Sequence, residues 1–304
     1  MSRYLVTGGA GRLGRSVVGV LADAGHEVIS VDRVAVPGLP ALQVVRELGG
    51  PETLVDVLRD HRVDAIVHLA AIAVPFSAPD DVIFRTNTSL AFAVLDAAKQ
   101  AGVGAVLISS SPTVIGYNAP TGWAPSALPL TEEHPRAPWN AYALAKVSIE
   151  DLIASEVRAA TPLRLGAFRP CYVIAPEEWE GAPTQQGHTI AERLDDPKLA
   201  AVSLFNYLDA RDAGEFVLAW LTQPDAAPNG SVFFIGAADS MVRAAVPASL
   251  AEYVPETAEL AGSLGPTSPV FSSGLAERLL GWKATRSWRT ELADAAPTEQ
   301  ELTA

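Results

Sequence analysis

The sequence has a single cysteine, Cys171, among its 304 residues, which excludes an intrachain disulfide framework and suits a reducing compartment. No uninterrupted apolar stretch approaches the roughly 18 residues that a membrane helix requires. Basic side chains are scarce, with 22 Lys and Arg against 35 Asp and Glu and a formal net charge of −13. That balance weighs against general affinity for nucleic acid or an anionic membrane surface. An anionic ligand would need a local cluster of donors. The five histidines show no metal-ligand spacing, and no Gly-x-Ser-x-Gly is present to carry a hydrolase nucleophile. The first apolar run starts at about residue 3, which leaves no space for the basic and apolar regions of a signal peptide. The expectation is a cytoplasmic protein with neither a metal site nor a nucleic-acid or membrane partner.

What the sequence does have is apolar content, 49%, arranged in an alternating rhythm. Residues 3–7 read as a strand and 11–24 as a helix, with Leu13, Val17, Val18 and Leu21 on one face. His26–Val31 reads as a strand closing at Asp32, and Pro51 opens a helix to about Arg59. "DAIVHLAA" (64–71) reads as a buried strand, 80–101 as a helix ended by Gly102, and "GAVLISSS" (104–111) as a strand. A loop over 116–138 precedes a helix from Trp139 to Ala159 and a strand over 163–170. Such alternation predicts a parallel sheet with helices on both faces. Beyond Pro176 the rhythm weakens, with helical patterns over 212–221 and 274–281 and a strand over 231–236. The expected division is a dinucleotide-binding domain over 1–175 and a substrate-binding cap over 176–295, with contributions from both halves to the site. A polar, disordered tail is expected over 296–304.

Three local features carry chemistry. "TGGAGRLG" (7–14) places glycines between a strand and a helix, where free helix N–H groups can cradle a phosphate. Asp32 ends the next strand, where a carboxylate can accept hydrogen bonds from an adenosine ribose and repel a 2′-phosphate. That favours NAD, while Arg33 beside it offers a guanidinium for the phosphate of NADP. "YALAK" puts Tyr142 and Lys146 on one helix face. An ammonium nearby stabilises phenolate and so lowers a tyrosine's pKa, fitting it for proton transfer to and from a substrate hydroxyl. The serines of "ISSS" (108–111) stand at the C-terminal end of a parallel strand, where ligands of such sheets bind. Alternatively, strand-end capping accounts for some of them. His68 in its apolar strand reads as a satisfied core residue and Cys171 as packing.

Taken in order, TGGAGRLG, Asp32, HLAA (68–71), SSS (109–111) and YALAK resemble the extended short-chain dehydrogenase/reductase family, in particular its NAD-dependent epimerase/dehydratase members, over about residues 3–290. Looser landmarks are RTN (85–87), FRPCYVIAP (168–176), YLDARDAGEF (207–216) and LLGWKATRSW (279–288). The resemblance implies a Rossmann-type doubly wound α/β sheet with a smaller C-terminal substrate-binding part. It implies that Gly8, Gly11, Arg12, Leu13 and Gly14 hold a pyrophosphate, that Asp32 and Arg33 face the adenosine ribose, and that Glu47 and Leu48 lie near adenine. Glu47 replaces the family's usual aspartate. Leu69, Ala70 and Ala71 would line the cofactor with Asn87 close by. Ser111 would orient the reacting oxygen, Tyr142 would be the acid/base, and Lys146 would bind the nicotinamide ribose. A homodimer through the helices around 80–101 and 139–159 is also implied.

Departures from the family pattern matter equally. Tyr172 and Phe205 stand where members acting on nucleotide sugars have an asparagine and an arginine, which weighs against such a substrate. Ile115 and Gly116, followed by Tyr117, replace the familiar Tyr-Gly. Pro112-Thr113 replaces the Asp-Glu of many dehydratases, which disfavours dehydration. "SSSPTVIGY" (109–117) has a short similarity to members that oxidise free sugar acids. Substrate contacts are expected from Ile72–Phe76, Thr113 and the stretch 183–194, which offers Gln185, Gln186, His188, Thr189 and Arg193; equally, that stretch is a solvated loop entering a helix. The expectation is an NAD-dependent oxidoreductase or epimerase acting at a secondary alcohol or ketone carbon of a small, polar, carbohydrate-type molecule. An NADP-dependent ketone reductase and a non-catalytic dinucleotide sensor are the alternatives.

Overall fold

A computed structural model describes residues 1–292; the tail expected over 296–304 lies outside the described residues. The N-terminal series runs β1 (Arg3–Thr7), α1 (Arg12–Asp23), β2 (Glu27–Asp32), β3 (Leu42–Val45), α2 (Glu52–Asp60), β4 (Ala65–His68), α3 (Asp80–Ala101), β5 (Ala105–Ser109), α4 (Ala141–Arg158) and β6 (Arg164–Pro170). After it come β7 (Val173–Ile174), α5 (Pro176–Trp179), α6 (Ile190–Asp195), α7 (Pro197–Ala201), β8 (Leu208–Asp209), α8 (Ala210–Thr222) and β9 (Ser231–Ile235). Seven strands form one parallel sheet in the order β3-β2-β1-β4-β5-β6-β9. The chain winds outward in opposite directions from β1 and β4. Their C-terminal ends therefore diverge into a crevice, the usual ligand position in a sheet of this kind.

Period-2 alternation explains why this sheet is covered on both faces. Tyr4 and Val6 of β1, Val67 of β4 and Leu107 of β5 pack into one core with α1 and α8. Leu5, Ile66, Val106 and Ile108 face the other way, into a core shared with α2, α3 and α4. The helices end on residues suited to stopping them. Gly102 closes α3 at φ 72°, a left-handed turn that glycine adopts without steric cost. Asn140 starts α4, its side chain accepting the N–H of Ala143, which sets the phase of the helix that carries Tyr142 and Lys146.

Two features depart from the expected organisation. Leu42–Val45 forms an edge strand beside β2, though no element was expected between 33 and 50; its short, half-exposed pattern gives no alternation to read. The strand expected over 231–236 is present as β9, and it pairs with β6 inside the main sheet. Residues beyond 176 thus extend the sheet as well as covering it. A separate parallel pair, β7–β8, ties residues 208–209 to the segment that follows β6.

Candidate active site

A cleft of about 790 Å³ crosses the C-terminal ends of the strands. One end is made by the β1–α1 loop. A Cβ on Gly8, which has φ 74°, would lie 2.7 Å from the backbone N of Ala70, and one on Gly14 would lie 2.1 Å from the carbonyl oxygen of Gly8. These two glycines are therefore required by the fold of the loop itself. Gly11 is different: an added Cβ meets only the Gly8 oxygen at 3.2 Å, so what its bareness leaves open is the cleft. No side chain caps the start of α1 and no acidic residue occupies its first turn, which leaves the helix N-terminus open to an anion. Arg12 pairs with the buried Glu178 and donates to the Val173 carbonyl, yet its Nε and Nη1 are buried without partners. Among the described residues this is where a pyrophosphate would find donors.

Asp32 is oriented by the loop it faces. Its Oδ2 accepts the Ala10 N–H at 3.0 Å and its Oδ1 accepts the Arg33 N–H at 2.7 Å. Arg33, Glu47 and Leu48 line the same end, with Arg46 between, a residue sequence reasoning passed over. Leu69, Ala70 and Ala71 line the middle. Asn87 does not. It is buried, and its amide clamps Ile72 by accepting the N–H at 2.8 Å and donating to the carbonyl at 3.1 Å. Its closeness to the cofactor strip is thus indirect, through the loop it fixes. These residues fit the phosphate and ribose groups of a dinucleotide: unpartnered donors at the loop and, beside it, a preoriented carboxylate.

Ser111, Tyr142 and Lys146 come together in the same cleft. Lys146 Nζ donates to the Ser109 carbonyl at 2.7 Å and lies 5.7 Å from the centroid of the Tyr142 ring. Burial pushes the Tyr142 phenol up to about 12, with its hydrogen bond to Ser111 acting the other way. The depressed tyrosine expected from the Lys146 spacing is therefore corrected: lost solvation dominates. Burial lowers Lys146 to about 8, while Glu150 works to raise it. Thr113 does line the cleft, but its hydroxyl donates to Ser111 Oγ at 3.0 Å and its N–H to the same atom at 3.3 Å. It aims the serine before it can serve a substrate.

Gln185 and Gln186 line the cleft together with Tyr172 and the ring pair Phe76–Trp139, whose centroids are 5.7 Å apart. Phe76 is held at φ 63°, a left-handed conformation unfavourable for a bulky residue. His188, Thr189 and Arg193 are not brought to the cleft wall. Thr189 is the N-cap of α6, its hydroxyl accepting the N–H of Glu192. Arg193 is fully buried, stacked 4.0 Å from the Tyr172 ring centroid and donating to Gln186 Oε1 at 2.8 Å. His68 is a satisfied core residue, its Nδ1 2.7 Å from Thr7 Oγ1, and burial pushes the Cys171 thiol well up. Among the described residues no cluster of His, Cys, Asp and Glu could hold a metal ion, and no helix is long and apolar enough to cross a membrane.

A family profile described as "NAD dependent epimerase/dehydratase family" matches residues 4–236. The chain is similar to UDP-glucose 4-epimerase of Azospirillum brasilense, with 37% identity over 159 residues, 50% of this chain and 43% of that protein. It is also similar to UDP-glucose 4-epimerase of Corynebacterium glutamicum, with 31% identity over 172 residues, 53% of this chain and 50% of that one. The matches thus span about half the length of these two curated relatives. Among solved structures, a short-chain dehydrogenase/reductase superfamily protein from Agrobacterium tumefaciens with bound NAD shares 26% identity, with a TM-score of 0.71 over 97% of this chain and 96% of that one.

Proposed function

This chain belongs to the NAD dependent epimerase/dehydratase family, and we propose that it moves hydride at a secondary alcohol or ketone carbon of a small, polar carbohydrate, with NAD as cofactor. The observation that carries this reading is that one cleft joins the glycine loop and Asp32 to Ser111, Tyr142 and Lys146. NAD, when bound, supplies the acceptor and donor of hydride. The loop glycines, the start of α1 and Arg12 would hold its pyrophosphate, and Asp32 its adenosine ribose, where a carboxylate disfavours a 2′-phosphate.

Ser111, aimed by Thr113, hydrogen-bonds the reacting oxygen. Tyr142 takes the hydroxyl proton of an alcohol substrate or returns it to a ketone, and Lys146 stabilises the phenolate that oxidation requires. Because burial holds Tyr142 up at about 12, the phenol is protonated near neutrality and oxidation should quicken as the pH rises into the alkaline range. If the ketone stays bound and is reduced on its other face, the outcome is epimerisation; if it leaves, it is net oxidation or reduction. Tyr172 and Phe205 in place of the asparagine and arginine of nucleotide-sugar members favour a free sugar or sugar acid.

Incubation with NAD and panels of free sugars, sugar acids and nucleotide sugars tests this reading. NADH accumulation marks a dehydrogenase and isomerised substrate without NADH an epimerase. Neither outcome with any panel, or clear preference for NADP in thermal-shift titrations, would sink it. A homodimer is supported by Val82 and Phe92 of α3 and Leu144 of α4, which stand exposed on adjacent helices; light scattering should show a dimer that Phe92→Asp dissociates, and a wild-type monomer would refute it. A reducing cytoplasm suits the single buried thiol, and localisation of a tagged chain in the source cell checks it.

A further inference from the structure

One buried polar cluster has no part in the chemistry above. Glu150 follows Tyr142 and Lys146 on α4 at the spacing that keeps all three on one helix face, and it is 4% exposed. A buried carboxylate is costly unless paired and hydrogen-bonded, and this one is met from three sides. Arg169 of β6 grips it with two parallel bonds, Nε to Oε1 at 2.8 Å and Nη2 to Oε2 at 2.7 Å. Ser110 Oγ donates to Oε1 at 2.6 Å, and Arg136 Nη1 stands 3.6 Å from Oε2 while pairing also with Asp151. Ser110 connects the two neighbours that matter. The carbonyl of Ser109 holds the Lys146 ammonium, and Ser111 lines the cleft together with Tyr142.

We propose that Glu150, with Arg169 and Ser110, is a positioning assembly that fixes the strand end Ser109–Ser111 against α4 and keeps Lys146 charged. Its consequence for turnover rests on the function proposed above; its effect on Lys146 does not. The groups facing Lys146 are Tyr142 and Glu150 on its own helix, His68 on β4 and the Ser109 carbonyl on β5, with Arg169 of β6 behind the carboxylate. His68 is held neutral by burial and by the ammonium itself. Arg169 is engaged by Glu150 and stacks 4.9 Å from the Phe234 ring centroid. Glu150 is therefore the charged side chain that opposes the desolvation of Lys146.

The chain has only four lysines, so carbon-13 labelling at lysine Cε lets Lys146 be titrated by NMR in the intact protein without any substrate. Wild-type Lys146 should titrate near 8, Glu150→Gln should move it to lower pH, and Glu150→Asp, which keeps the charge, should restore it. Glu150→Gln combined with Arg169→Gln removes both buried charges and should show the same fall, covering the case in which the single variant does not fold. Ser110→Ala should lower kcat about 10-fold with KM unchanged, and Ser110→Thr should recover it. A Lys146 titration that does not move in the glutamine variants overturns the charge role, and wild-type kcat in Ser110→Ala overturns the link through Ser110. Failure of the wild type to turn over any sugar while Lys146 still responds to Glu150 would refute the proposed function alone.

Discussion

The two ends of the cleft are built on different principles. The glycine-loop end is backbone: Gly8 and Gly14 pack against main-chain atoms, and Asp32 is aimed by main-chain N–H groups. The Tyr172 end is side chain: Arg193 on Tyr172, Phe76 against Trp139, Thr113 on Ser111. Backbone geometry tolerates almost no change, because a misplaced main-chain atom has no rotamer into which to relax. Side-chain contacts can be exchanged one at a time. The first end is thus suited to one constant ligand and the second to different ones.

The sharpest test of that contrast lies where the ends meet. Tyr142→Phe should lower turnover by about 10²–10⁴ while leaving NAD affinity near wild type, measured by steady-state kinetics and calorimetry. Gly14→Ala should do the reverse of a local change. With a Cβ 2.1 Å from a carbonyl oxygen, the loop must shift, costing about 3 kcal/mol in denaturant unfolding and weakening NAD binding at least about 10-fold. An unchanged Gly14→Ala variant would break the contrast outright.

A pH effect sits just beneath the loop. Burial and Lys146 hold His68 down at about 3 against an ordinary 6.5. Below 6.5 the unfolded chain takes up a proton that the folded chain refuses, so stability falls as the pH drops from 6.5 towards 3. His68→Gln should flatten that part of the profile in urea titrations at successive pH values. The smallest effect belongs to the far end, where Thr189→Ala removes an N-cap and should cost about 1 kcal/mol with NAD affinity unmoved.

The same contrast decides how much was legible in the sequence. The glycine-loop end uses contiguous residues at strand termini, so TGGAGRLG and Asp32 could be read directly. Tyr142 and Lys146 were legible because four-residue spacing on a helix is local. Glu150, four residues further along, carried the same signal, but its partner Arg169 depends on the β5–β6 register, which no local pattern fixes. Thr189 and Arg193 read equally as substrate contacts and as a loop entering a helix; the turn into α6 sets one to capping and buries the other. The expected fall in the Tyr142 pKa failed for a related reason, since spacing gives the neighbour but not how deeply the phenol is buried.

The pairing of β9 with β6 has a consequence for how the chain can be divided. Any fragment that stops before Ser231 leaves one side of β6 as a bare row of N–H and C=O groups, the template on which strands of separate molecules join. The half that carries β1 to β6 therefore owes the cover on its sheet edge to the half that follows it.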